Sequence, residues 1–173
     1  MNNMPNQIDQ VKLSKLVINI GVGKSGEPLE QANKIILEIC DQTPVTTYAK
    51  KSYRELGVQK NSPIGVKTTL RKDIAEETLK KLLVARSNKV SKRSFDLTGN
   101  FSFGVKEHIE IPGTKYDPQL GIWGMDVCVS LEKIGYGVKR RQIKPSTVGI
   151  GQRVSREEAI NFAKENYGVI VEE

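Results

Sequence analysis

Three stretches of this 173-residue chain alternate apolar and polar residues with a period of two, and no other feature restricts its fold as much. In Leu16–Val22, Leu16, Ile18 and Ile20 point one way, and Asn19 points the other way beside Val17. Phe101–Ile111 puts Phe101, Phe103, Val105, Ile109 and Ile111 on one face, with His108 on the other beside Lys106 and Glu110. Trp123, Met125, Val127, Val129 and Leu131 repeat the pattern. Strands that are apolar on one side need a covering layer there and leave the other side polar. Helical spacing supplies that layer. Pro28 opens a helix carrying Leu29, Ala32, Ile35, Ile36 and Ile39, and Asp73 is placed to cap a second helix with Ile74, Leu79, Leu82 and Leu83, running to about Arg86. Ser155 with Glu158 three residues on forms a capping box for a third helix, whose apolar positions are Ala159, Phe162 and Ala163. Val45–Ala49 and Ile64–Leu70 have strand composition, and the polar, aperiodic segment between them reads as a long loop. The order predicts one α+β domain over residues 1–173, a largely antiparallel sheet with helices packed on one side.

No apolar run approaches the roughly 18 residues of a membrane span, which excludes a helical membrane protein. The opening MNNMPNQIDQ has neither a secretory nor a transit-peptide pattern, so the expected location is the cytoplasm. Cys40 and Cys128 sit far apart in apolar contexts and match no metal-ligand spacing; reduced, buried thiols are expected, with no disulfide, metal or cofactor.

The chain carries 27 Lys and Arg against 20 Asp and Glu, a formal charge of +7, and the excess is clustered. Residues 44–93 carry +9, and residues 135–156 hold 6 basic residues and no acidic one, while the flanking segments are negative. Concentrated basic segments beside acidic ones point to a polyanionic partner.

Two motifs imitate familiar chemistry. Gly21-Val22-Gly23-Lys24-Ser25-Gly26 follows a strand and contains a GKS, but a phosphate-cradling P-loop would need glycine where Ile18 stands. A dinucleotide fold needs an acidic residue ending the second strand, whereas Asp41 precedes it. A glycine-rich turn is the favoured reading, with amides that could still meet an RNA phosphate. Phe101 and Phe103 resemble the stacking aromatics of an RNA-recognition strand, yet they share a face with Val105 and so belong to the core. His108, the sole histidine, has no ligand or triad companions and reads as a surface residue. An enzyme reading finds no support.

The polar faces are more informative. In Ile64–Arg71, Lys67, Thr69 and Arg71 lie together opposite Val66 and Leu70, and with Asn19 they make a cationic strip with amide and hydroxyl groups. Cations supply phosphate affinity, and amides and hydroxyls reach sugars or base edges, which is the division of labour in RNA recognition.

The runs Val17-Ile18-Asn19-Ile20-Gly21-Val22-Gly23, Gln42-Thr43-Pro44-Val45, Ile64-Gly65-Val66-Lys67-Thr68-Thr69-Leu70-Arg71, Thr98-Gly99-Asn100-Phe101 and Tyr116-Asp117-Pro118 closely resemble the universal ribosomal protein L5 family of the large subunit. The resemblance spans about Lys12 to Gly168 and is of the archaeal type: no extra N-terminal helix, a basic insertion at 135–156 and an acidic helical tail. It implies a non-enzymatic protein of the central protuberance that binds 5S ribosomal RNA (5S rRNA), touches large-subunit rRNA, and reaches toward the P-site tRNA elbow. It also implies two protein neighbours, another 5S-binding protein of the large subunit and a small-subunit head protein across an intersubunit bridge. The family's 5S contacts fall on Asn19, Gln42 and Thr69, and the strip adds Lys67 and Arg71. Its mobile P-site loop maps onto Lys51–Asn61, with Lys51, Arg54, Lys60 and Asn61 facing tRNA; Glu55 makes this loop less basic than in eukaryotic relatives. The basic insertion offers Lys139, Arg140, Arg141, Lys144 and Arg153 for further rRNA contacts. A ribosomal RNA-binding protein is preferred over a nucleotide-using enzyme and over a free RNA-binding regulator.

Overall fold

The computed structural model describes residues 10–114, 117, 118 and 120–172. Residues 1–9 of the amino-terminal stretch, Tyr116 of the Tyr-Asp-Pro motif and Glu173 of the acidic tail lie outside the described residues. The chain forms β1 (Lys12–Gly21), α1 (Glu27–Cys40), β2 (Val45–Tyr48), β3 (Pro63–Leu70) and α2 (Lys72–Ala85). There follow β4 (Lys89–Ser91), β5 (Phe101–Val105), β6 (Met125–Glu132), the single turn α3 (Gly137–Arg140), α4 (Arg156–Tyr167) and β7 (Ile170–Glu172). Five strands make one antiparallel sheet in the order β2-β3-β1-β6-β5, and β4 and β7 pair in parallel beside it.

The alternation decides which face is covered. Leu16, Ile18 and Ile20 of β1 and Val66 and Leu70 of β3 are buried where α2 packs on β1 and α1 on β3, and Val127, Val129 and Leu131 of β6 are buried in the same core. Each such side chain contributes roughly 1.5–3 kcal/mol on leaving water, so a one-residue slip of β1 would expose the whole set. From α1 the core takes Ala32, Ile35, Ile36 and Ile39; from α2, Ala75, Leu79, Leu82 and Leu83; from α4, Ala159 and Ala163. The capping box at Ser155 and Glu158 is formed as expected. Gly65 stands where β1, β3 and β2 crowd: a Cβ there would sit 2.8 Å from the Ile20 carbonyl oxygen and 2.9 Å from Thr47 Oγ1.

The structure corrects several details. The run Phe101–Ile111 leaves the sheet after Val105 and turns into a short 3-10 helix at His108–Glu110, so Ile109 is only half-buried and His108 is enclosed. His108 is 1% exposed; its Nδ1 accepts a hydrogen bond from the Trp123 N–H at 3.3 Å. Burial pushes its imidazole below the ordinary histidine value, against the opposing pull of Glu38 and Glu107. Trp123 itself precedes β6. Arg71, with extended backbone, takes the N-cap position of α2; Asp73 sits in the first turn, and Ile74 faces solvent. Cys40 is buried, its thiol pushed up to about 12 by burial with Asp41 adding to the rise, but Cys128 points out of the sheet and is exposed. Alternation explains Cys128: it lies between the inward Val127 and Val129.

Candidate nucleic-acid interface

The face of the sheet away from the helices is left open, and strand register arranges its side chains in two rows. In the first, Lys67 of β3 is opposite Asn19 of β1, Asn19 is opposite Asp126 of β6, and Asp126 is opposite Gly104 of β5. In the second, Thr69 is opposite Val17, Val17 opposite Cys128, and Cys128 opposite Ser102. Directly opposed residues bring their Cβ atoms within about 4.5–5.5 Å, so each row is a continuous contact surface, polar in the first and broken by Val17 in the second. The β3–β1 half carries the cation, the amide and a hydroxyl, and the β6–β5 half a carboxylate, a thiol and a serine.

Asn19, Lys67 and Thr69, expected together from sequence, are therefore adjacent on the open face. Gln42 and Arg71 stand at its margins, both exposed, one in the turn between α1 and β2 and the other where β3 hands over to α2. Asp41, in left-handed conformation at φ 51°, makes the turn that presents Gln42. The structure adds Arg86 and Lys106, which border a groove of ≈ 480 Å³ reaching Asn19 and Asp126 at one end of the face. Local pattern carries no signal for these two: Arg86 ends α2, Lys106 follows β5, and only tertiary packing brings them near Asn19. Glycines at 21, 104 and 124 line the same groove, so backbone is accessible there.

Lys51, Arg54, Lys60 and Asn61 lie on an exposed extension of the β2–β3 hairpin. Its backbone is tied internally: Tyr53 and Val58 exchange two hydrogen bonds of 2.8 and 3.1 Å, the Lys60 N–H donates to Ser52 Oγ at 2.9 Å, and the Asn61 N–H to the Ala49 carbonyl at 2.9 Å. Lys139, Arg140, Arg141, Lys144 and Arg153 are all exposed on the basic segment beyond β6. Arg140 is engaged by Glu132 and by Ser14 Oγ, the latter at 3.1 Å. Arg141 donates to the Lys144 carbonyl at 2.7 Å, and Arg153 to the Val148 carbonyl at 3.2 Å.

The remaining motifs resolve structurally. In the glycine-rich turn the Val22 and Gly23 N–H groups both donate to the Ile64 carbonyl, at 3.0 and 2.8 Å, which spends two of the amides a phosphate cradle would need. Phe101 stacks on Phe95 with centroids 4.9 Å apart inside the core. Among the described residues no group of three or more His, Cys, Asp or Glu could hold a metal, and no helix is long and apolar enough to cross a membrane.

The comparisons with known proteins agree with the motif resemblance. The profile described as ribosomal L5P family C-terminus matches residues 63–162, and that of ribosomal protein L5 matches residues 6–59. The chain belongs to the ribosomal protein L5 family. It is 48% identical to large ribosomal subunit protein uL5 of Sulfolobus acidocaldarius over 96% of this chain and 93% of the relative. The uL5 of Pyrobaculum aerophilum is 48% identical over 95% and 92%, and that of Methanosphaera stadtmanae 44% over 92% and 95%. This L5 chain is of the archaeal type: a structural, non-enzymatic constituent of the large ribosomal subunit, and thus cytoplasmic as part of the ribosome.

Proposed function

We propose that this L5 chain binds 5S rRNA through the open face of its sheet, with Lys67 and Arg71 meeting phosphates and Asn19, Gln42 and Thr69 hydrogen-bonding sugars or base edges. The carrying observation is the register that makes Lys67, Asn19 and Thr69 neighbours on a face no helix covers. The 51–61 extension faces P-site tRNA, and the basic 135–156 segment touches large-subunit rRNA. A second 5S-binding protein of the large subunit adjoins the chain in the central protuberance, and a small-subunit head protein meets it across the intersubunit bridge.

Filter binding of the full chain to 5S rRNA at several salt concentrations tests the face. Lys67→Ala and Arg71→Ala should each lower the log–log salt slope by about 1. Asn19→Ala, Gln42→Ala and Thr69→Ala remove a hydrogen bond and no charge, so affinity should fall by roughly 1–3 kcal/mol with the slope intact. Unchanged binding in all five variants would move the 5S site elsewhere.

A further inference from the structure

At the far end of β1 the ladder to β6 slips by one residue between Leu13 and Lys15, and beside this bulge opens a cleft of ≈ 510 Å³. Val148 and Tyr136, both half-buried, give it its apolar surface. Thr98 and Asn100 form one polar wall, Ser146 and Thr147 another. Lys15, Lys139 and Arg153 converge on it from β1, α3 and the segment before α4. Among the described residues none of these three cations has a carboxylate partner. Glu132, the acidic residue of the lining, is held by Arg140. The cleft therefore presents three positive charges without a carboxylate partner around the Tyr136 ring.

Its walls are fixed before any ligand arrives. The Val154 N–H donates to the Tyr136 hydroxyl at 3.4 Å, Gln152 Nε2 to the Ile134 carbonyl at 2.9 Å, and the Ser146 N–H to the Val138 carbonyl at 3.2 Å. Across the cleft, Thr98 Oγ1 donates to Asp96 at 2.5 Å, a bond that holds the Asp96 carboxyl below the usual range, and Asn100 Nδ2 donates to Thr98 Oγ1 at 2.9 Å. Gly99 between them lies directly on Val154, joining one wall to the segment that carries Arg153.

We propose that this cleft, which opens at the end of the open sheet face where Lys15 and Ser130 are the next opposed pair, is a second RNA site that takes one unpaired nucleotide turned out of its stack. The backbone phosphate lies against Lys15, Lys139 and Arg153, and the base lies on Tyr136. The volume falls within the roughly 300–1,000 Å³ of small-ligand sites and admits no duplex. Splayed-out bases that stack on aromatic rings and bond along their edges are the usual object of protein recognition in RNA. That the nucleotide belongs to large-subunit rRNA rests on the function proposed above; a free nucleotide has the same chemistry, and the test separates the two.

Full-length protein is photo-crosslinked to large-subunit rRNA that carries 4-thiouridine and lacks 5S rRNA, and the crosslinked peptides are mapped. Binding to that rRNA, to 5S rRNA and to uridine monophosphate is measured in parallel. Crosslinks are expected in the peptides around Tyr136 or Ser146–Val148. Lys139→Ala with Arg153→Ala, and Lys139→Glu alone, should abolish them and lower the salt slope for large-subunit rRNA by about 1 as a phosphate contact is lost. Both should leave 5S affinity within about twofold. Crosslinks confined to other peptides would overturn the proposal, as would equal loss of 5S binding in both variants. Uridine monophosphate binding that the variants abolish, without any rRNA crosslink, would make the cleft a free-nucleotide site instead. If the wild-type chain fails to bind 5S rRNA, the open-face reading fails while the crosslink still reports on the cleft.

Discussion

Glu158 does two jobs with one carboxylate. It accepts the Ser155 N–H at 2.9 Å to complete the capping box of α4, and it accepts Lys133 Nζ at 2.8 Å. The lysine side chain is only 6% exposed, so the pair anchors the end of β6 to the start of α4. Burial alone would raise the Glu158 carboxyl, but the bonds from Lys133 and Ser155 outweigh it and hold the group below the ordinary glutamate value. A carboxyl held low in the folded state adds stability above its unfolded value, and that stability is lost as pH falls through the folded value. Glu158→Gln should therefore cost about 1–3 kcal/mol at pH 7, through a weakened cap and a buried ammonium left without its counter-charge. In urea denaturation the gap between wild type and variant should be wider at pH 7 than at pH 3, where the carboxyl is closer to protonation. An equal gap at both would remove the ion pair from the account. The Ser155 and Glu158 spacing was readable in the sequence; Lys133 was not, because the partner lies 25 residues away.

The turn at Thr98–Asn100 shows how a local motif becomes a joint between elements. Gly99 has φ +78°, and a Cβ built there would lie 2.5 Å from Val154 Cγ1, so an alanine meets both a backbone penalty and a fully buried side chain. Gly99→Ala should cost about 1–3 kcal/mol in denaturant unfolding, whereas Gly149→Ala, with open space around its Cβ and no left-handed backbone, should stay within about 1 kcal/mol. Similar losses in both would deny the joint its special role. The same contrast between local and distant causes runs through the strands. Alternation gave the inward faces of β1, β3 and β6, though β1 begins earlier, at Lys12, and β6 later, at Met125; it carried Phe101–Ile111 too far, because the short 3-10 turn after Val105 is set by packing against the Trp123 region and leaves no mark in the period. The parallel pairing of β4 with β7 was likewise invisible: each strand is three residues long, too short for a periodic signal.

On the scale of the whole molecule, the basic side chains proposed to meet RNA fall in three places: the open face and its margin, the 51–61 extension and the segment beyond β6. Arg54→Glu combined with Lys60→Glu changes two exposed residues on a hairpin extension tied by its own backbone bonds. Folding and 5S rRNA binding should remain within about twofold of wild type, while ribosomes assembled with the variant should retain P-site tRNA less well in a salt-dependent filter assay. Loss of 5S binding with normal tRNA retention would instead place the extension in the 5S site. The sequence by itself determined the fold class, the inward faces of the main strands, the Ser155 capping box of α4 and the clustering of charge, because each depends on neighbours within a turn or a few strand positions. Only the tertiary structure decided that Lys67, Asn19 and Asp126 share a row, that His108 is buried, that Arg86 and Lys106 border the face, and that Lys15, Lys139 and Arg153 surround one cleft. Those juxtapositions come from strand order, register and a bulge, which join residues far apart in the chain through the packing of a common core.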